Sequence, residues 1–325
     1  MKVILVQRKS GSGFSLEGVY GAILNELEEH DVDIFKLQGG NFFKDLLALR
    51  ALKADLYHIT GDVHYISFFL PRGKTILTIH DIGVYVNRDL RGIKRFIYRL
   101  IWINLPIFFS RAVFFSSEKT KERVNKISNL DRKHNVIMKL CSNLDFTYQE
   151  DNIKNEKPKI LHVGTSPHKN LKGVIKALKG VDCQLQIVGE IDKDSISMLT
   201  EHEIDYLSFN NIEKSHLESL YVNSDLVTFP SFHEGFGLPI IEAQAFSIPL
   251  ITSDLSPMKE VAGEGAFLVD PNAVESIRSA ILKILSDDNF SQELVRKGIK
   301  NSSLYSVTMV ANEHLQEYKK VVSLS

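Results

Sequence analysis

The stretch from Ser231 to Glu242, SFHEGFGLPIIE, sets two carboxylates eight residues apart, Glu234 and Glu242. Between them lie a glycine turn, Gly235-Phe236-Gly237, and then Pro239. The residues before it, Ser224 to Pro230 (SDLVTFP), read as a short buried strand. Those after it, Pro239 to Phe246, read as a helix with proline at its first position, where the missing N–H is no loss. Glycine lets backbone approach a ligand closely, and the free N–H groups of a helix start point at whatever sits there. In this reading Glu242 falls in the first helical turn, where the helix dipole keeps a carboxylate ionised. An ionised carboxylate only accepts hydrogen bonds, which suits it to a pair of sugar hydroxyls. A strand, a glycine turn and a helix start so equipped can hold an anion on backbone amides and hydroxyls on two glutamates, and a nucleotide sugar carries both.

The pattern continues on either side. Pro249–Ser253 (PLITS), Met258–Gly263 (MKEVAG) and Phe267–Pro271 (FLVDP) follow in order, and Ile160–Leu171 (ILHVGTSPHKNL) precedes. Together these segments resemble the retaining glycosyltransferases of family four, whose hallmark is Glu-x7-Glu in an EGFGLPxxEA context. The resemblance covers roughly the C-terminal half and is loose in the N-terminal half. It implies an α/β fold of GT-B type, two facing Rossmann-like domains with parallel sheets and a cleft between them. It also implies sugar transfer with retention, without metal or other cofactor, from a UDP- or GDP-linked donor to a glycan or lipid-linked acceptor in cell-surface polysaccharide synthesis.

The resemblance places roles on particular residues. Glu234, Lys169 and His80 are the implied catalytic set. Gly13, Thr165, Lys169, Asn170, Gly235, Phe236, Gly237, Leu238 and Glu242 are the implied donor contacts. Glu242 would take the ribose hydroxyls and Glu234 those of the sugar. Gly164 ends a strand, and Thr165 to Asn170 lead into a helix. A lysine beside a helix start is a diphosphate clamp, although any exposed lysine on a strand-to-helix loop reads the same way alone. Many relatives carry an arginine here, where this chain has Thr165 and His168. The loop Arg8–Phe14 (RKSGSGF) offers Gly11 and Gly13 after the first strand. His80-Asp81 closes the strand Thr75–Ile79, where relatives place a histidine against the transferred sugar. His58 and His64 are lesser candidates, and Glu260 reads as structural. Donor-base selection falls near Gly189 and Ser208–Asn210.

Composition sets the frame. The chain has 325 residues, 44% hydrophobic and 24% charged, with net charge −1. That is ordinary for globular protein and gives no field for nucleic acid. The two cysteines, Cys141 and Cys183, are far apart and read as buried apolar residues in a reducing compartment. The chain opens on a strand, MKVILVQ, without a signal peptide, and no apolar run reaches membrane-spanning length. A cytoplasmic location, peripheral on the inner membrane face, is the corresponding expectation.

Short apolar runs alternate with helix-period segments, the pattern of parallel sheets covered on both faces. Strands are expected at 2–6, 32–37, 56–60, 75–79, 112–115 and 136–140, then at 159–163, 184–188, 204–207, 225–229, 250–252 and 267–269. The expected division is 1–148 for an acceptor domain, 149–158 for a linker, 159–304 for a donor domain and 305–325 for a last helix packing back toward the first domain. Arg91–Asn104 (RGIKRFIYRLIWIN) reads as an amphipathic helix. Ile93, Phe96, Ile97, Leu100 and Ile101 would face the core. Arg91, Lys94, Arg95, Arg99, Tyr98 and Trp102 would face an anionic membrane surface or solvent. Two other functions stay open on this reading: a nucleotide-sugar epimerase or phosphorylase, and a non-catalytic partner subunit of the same fold.

Overall fold

The computed structural model describes residues 1–8, 16–38, 42–83, 85, 92–130, 133–146 and 155–324. Gly11, Gly13 and Arg91 lie outside them, as does most of the expected linker. The chain forms two units, Met1–Asn143 with Ser306–Ser325, and Leu144–Tyr305.

Each unit is built on one six-stranded sheet. In the first, β1 (Val3–Gln7), β2 (Val32–Lys36), β3 (Leu56–Ile59), β4 (Thr75–Ile79), β5 (Ala112–Phe115) and β6 (His134–Ile137) lie in the order β2-β1-β3-β4-β5-β6. In the second, β7 (Lys159–Val163), β8 (Gln184–Val188), β9 (Asp205–Phe209), β10 (Leu226–Phe229), β11 (Leu250–Ser253) and β12 (Phe267–Val269) lie in the order β12-β11-β10-β7-β8-β9. Every pairing is parallel. The central strands are buried along their whole length, as β1, β3, β4 and β5 show, because helices cover both faces. The second core gathers Ile160, Leu185, Ile187, Leu226 and Ile251 from the sheet with Val174, Ile277 and Ile281 from the helices.

Strand order sets where a ligand binds. A parallel sheet whose order reverses leaves a crevice beyond the carboxyl ends of the two strands at the reversal. In the second sheet the chain runs outward from β7 to β8 and β9, then returns to place β10 on the other side of β7. The loops after β7 and β10 therefore meet.

Two expectations are displaced. The edge strand β6 pairs from His134, two residues before the apolar run that predicted it, with His134 opposite Ala112. It is half-buried throughout, so hydrogen bonding to β5 rather than burial fixes its register. The division between units falls at Asn143/Leu144, upstream of 149–158. Lys214 and Glu218 explain this: Glu218 accepts from the Asp145 N–H at 2.7 Å, Lys214 pairs with the Asp145 carboxylate at 2.8 Å, and Phe146 packs edge-on against Phe246.

The final helix, Val307–Ser323, belongs to the first unit. It buries Val310, Ala311, His314, Leu315, Tyr318 and Val321. The Tyr318 hydroxyl lies 2.8 Å from His58 Nδ1, and His58 Nε2 lies 2.6 Å from Thr78 Oγ1. Both nitrogens of His58 are thus committed to holding this helix on β3 and β4, a structural role. Both cysteines are buried and free, and burial pushes the Cys141 thiol up to about 12.

The amphipathic segment keeps Lys94 and Arg95 exposed as expected, but its aromatic and aliphatic residues exchange places. Tyr98 and Trp102 pack against the core, stacked in the series Tyr85–Tyr98–Trp102, with Tyr65 beside Trp102. Ile93, Phe96, Ile97 and Ile101 are exposed. The helix Gly92–Tyr98 runs into a π-helical turn at Arg99–Asn104, where the Leu105 N–H donates to Leu100 O. The wider turn shifts the phase of the faces, and large flat rings bury more area than the aliphatic residues they displace.

Candidate active site

The loop after β7 begins at Gly164, whose φ of +97° suits glycine. A Cβ there would lie 3.1 Å from both Cγ and Cε of Lys169. The lysine stem thus lies across the glycine. Its ammonium sits 4.6 Å from the centre of the Phe229 ring and 2.8 Å from Glu234 Oε1. Both partners are largely shielded, with side chains 19% and 11% exposed.

Further contacts tie this loop to the one after β10. The Phe232 N–H donates to His168 O at 2.8 Å, and the His168 and His233 rings lie 4.7 Å apart. Asn170 adopts a left-handed conformation and donates both amide hydrogens, one to Pro230 O at 3.2 Å and one to Pro271 O at 2.8 Å. Asn170 therefore ties the loop to its neighbours through both amide hydrogens, and it also lines the adjoining cavity. Thr165 rests on Gly189, where an added Cβ would lie 2.8 Å from Thr165 Oγ1. The loops after β7 and β8 thus also touch, beside the expected base-selecting segment. A cavity of about 380 Å³ adjoins the loop, lined in part by Thr165, Ser166, Lys172, Asp192 and Phe232.

The glycine turn leads into the helix Leu238–Ala245. Gly237 caps it at φ +106°, ψ +60°, a conformation glycine adopts freely. The helix begins at Leu238, with Pro239 second, so Glu242 stands beyond its first turn and the dipole argument loses force. Tyr221 takes over. Its hydroxyl donates to Glu242 Oε2 at 2.8 Å, and burial, with the carboxylate beside it, pushes the phenol well above its usual range. Glu242 is only 6% exposed. Phe236 is likewise buried, edge-on to Tyr305, so its ring is part of the core and only its backbone can meet a ligand.

His80 closes β4 in the first unit. Its Nε2 lies 3.0 Å from Thr60 O, and a carbonyl only accepts, so Nε2 carries the proton. Nδ1 is then a buried acceptor without a hydrogen-bond partner among the described residues. Burial lowers the pKa of this imidazole and favours the neutral form. His64 is buried, with Nδ1 2.9 Å from Trp102 O, in a structural contact. Gly13, the remaining expected contact, is outside the described residues.

Sequence reading missed Tyr221, Phe229 and the part Gly164 plays beneath the lysine. Tyr221 carried one signal, a tyrosine on the helix that leads into β10.

The fold is GT-B, and residues 145–301 match the family Glycosyl transferases group 1. That match falls within the second unit. The chain is similar to O-antigen chain mannosyltransferase B of Escherichia coli, 25% identical over 295 residues that cover 84% of this chain and 76% of that protein. It is 31% identical to O-antigen chain mannosyltransferase RfbU of Salmonella typhimurium over 234 residues, 66% of this chain and 62% of that one. Among solved structures, sucrose-phosphate synthase of Thermosynechococcus elongatus superposes with a TM-score of 0.78 at 18% identity, covering 100% of both chains.

Proposed function

We propose that the protein moves a sugar, mannose on the reading its relatives favour, from a nucleotide-diphosphate donor to a hydroxyl of a bacterial surface glycan. Retention of configuration of the family-four kind, without metal, is part of the proposal. The observation that carries it is the Lys169–Glu234 pair at the switch point of the second sheet. The Lys169 ammonium has three N–H groups and uses one on Glu234 Oε1. The other two can meet a diphosphate, while Glu234 Oε2 can take sugar hydroxyls. As the bond from the anomeric carbon to the diphosphate oxygen breaks, charge builds on the leaving group, and a fixed ammonium stabilises it. The acceptor oxygen attacks the same face and passes its proton to the departing phosphate. Glu242, steadied by Tyr221, is assigned the ribose hydroxyls. His80 Nδ1, a neutral acceptor, is assigned a substrate hydroxyl.

The test is transfer from nucleotide-diphosphate mannose in excess chelator, with the product anomer followed by proton NMR. Turnover that persists and gives the α-anomer from an α-donor is expected. Activity restored only by magnesium or manganese contradicts the metal-free reading, and an inverted product contradicts retention. Conversion of donor without an acceptor points to an epimerase.

The reading extends to an anionic bilayer as the place of action. No helix among the described residues is long and apolar enough to cross a membrane. The exposed residues Ile93, Phe96, Ile97 and Ile101 alternate with Lys94, Arg95 and Arg99. Cations add about 1 kcal/mol each near an anionic surface and are screened by salt, whereas apolar burial is not. Sedimentation with phosphatidylglycerol vesicles is expected to weaken at high salt without vanishing. Replacing Ile93, Phe96 and Ile97 by serine should remove the salt-resistant part. Indifference of the wild-type chain to vesicles at low salt contradicts this extension.

A further inference from the structure

Sites in parallel sheets lie at the carboxyl ends of strands. The first unit also has a pocket at the opposite, amino ends. Arg72 stands in the turn before β4, Arg111 just before β5, and Lys133 and His134 at the start of β6. With Ser110 and Leu324 they line an open pocket of about 550 Å³. At about 3.3 Å per residue, strands of this length put it roughly 13–16 Å from the end that carries His80.

No carboxylate lines the pocket among the described residues. His134 pairs with Glu317 at 2.9 Å, and Glu317 also bonds Lys320. The Arg72 guanidinium lies over the exposed Phe108 ring, 4.2 Å from its centre. Lys133 donates to two carbonyls, Phe108 O and Ser110 O, which fix its ammonium and leave one N–H over. Burial and the two neighbouring guanidiniums lower the Lys133 pKa to about 8. Cations gathered this closely repel one another, and an oxyanion with several acceptor atoms would relieve that repulsion while taking their hydrogen bonds.

We propose that this pocket binds a phosphate-type oxyanion, gripped by Arg72 and Arg111 and by the remaining N–H of Lys133. The oxyanion comes either from free phosphate or from the headgroup of an anionic lipid. This inference is independent of the glycosyl-transfer reading.

The test uses the full chain carrying Lys169→Ala, which keeps donor-loop phosphate binding out of the signal. One arm is calorimetric titration with inorganic phosphate. The other is sedimentation with phosphatidic-acid vesicles against phosphatidylcholine vesicles. Arg72→Gln with Arg111→Gln removes two charges while leaving the carbonyl bonds of Lys133 in place. A tenfold or greater loss of phosphate affinity on that double substitution supports a free anion. A comparable loss of vesicle binding, with no phosphate titration, supports a lipid headgroup. A titration of Lys133 followed by NMR should move upward from about 8 when the ligand binds. If neither phosphate nor phosphatidic acid distinguishes the double variant from its parent, the proposal is overturned. Transfer by the otherwise wild-type chain carrying the two arginine substitutions should be unchanged in solution.

Discussion

Lys169→Ala is expected to lower kcat by about two to three orders of magnitude, the loss that follows removal of one preorganised group facing developing charge. KM for the donor should change less, because the ammonium acts most strongly where the leaving diphosphate gains charge. The substitution also leaves Glu234 without its partner in a site where its side chain is 11% exposed. A stability loss of about 1–3 kcal/mol is expected from that unpaired group. Glu234→Gln added to Lys169→Ala separates the two effects: it should restore stability and not turnover. Steady-state kinetics with denaturant titration of the same variants decide the matter. A change confined to KM, or turnover recovered by the double variant, contradicts a clamp on the leaving group.

Mild acid is expected to destabilise both units through their buried histidines. His314 in the first unit and His162 in the second are fully buried, and burial lowers each pKa to about 4. His58 and His80 shift in the same direction for the same reason. An unfolded histidine titrates near 6.5, so below that pH the unfolded chain binds more protons than the folded one. Stability is full above about pH 6.5 and is lost as pH falls toward 4. For His314 and His162 this is about 2 kcal/mol each at pH 5 and roughly 3 kcal/mol each below pH 4. Carboxylates with lowered values, such as Glu317, lose their contribution only further down. Urea unfolding at pH 7.5 and 5.0 measures the slope, and His314→Gln should reduce it for the first unit alone. Equal stability at the two values contradicts the assignment of these rings as buried and neutral.

Much of the fold was legible because a strand buried on both faces leaves a continuous apolar run. Thr75–Ile79, Ala112–Phe115, Lys159–Val163, Gln184–Val188 and Phe267–Val269 were read with the bounds they have. The slip at His134–Ile137 comes from an edge strand, where burial no longer reports pairing. Strand order was not legible, and the Lys169–Glu234 contact depends on it. Those residues are 65 apart in sequence and meet only because β10 returns beside β7. The resemblance implied a role toward a donor for each residue and could not show that they bond each other. Glu242 shows a finer limit. One residue's difference in where the helix begins moved it out of the first turn, and the hydroxyl that holds it comes from a helix twenty-one residues away. At Arg99–Asn104 a single wide turn broke the 3.6-residue period on which the choice of buried face rested.

The central claim is that Lys169 recognises the second phosphate of the donor. It is tested most directly by calorimetric titration of the full chain with GDP and UDP, and with GMP and UMP, before and after Lys169→Ala. The account predicts that one diphosphate binds the wild-type chain at least tenfold tighter than its monophosphate, about 1.4 kcal/mol, and that the substitution erases this difference while leaving monophosphate affinity nearly unchanged. A diphosphate preference that survives the loss of Lys169 would contradict it.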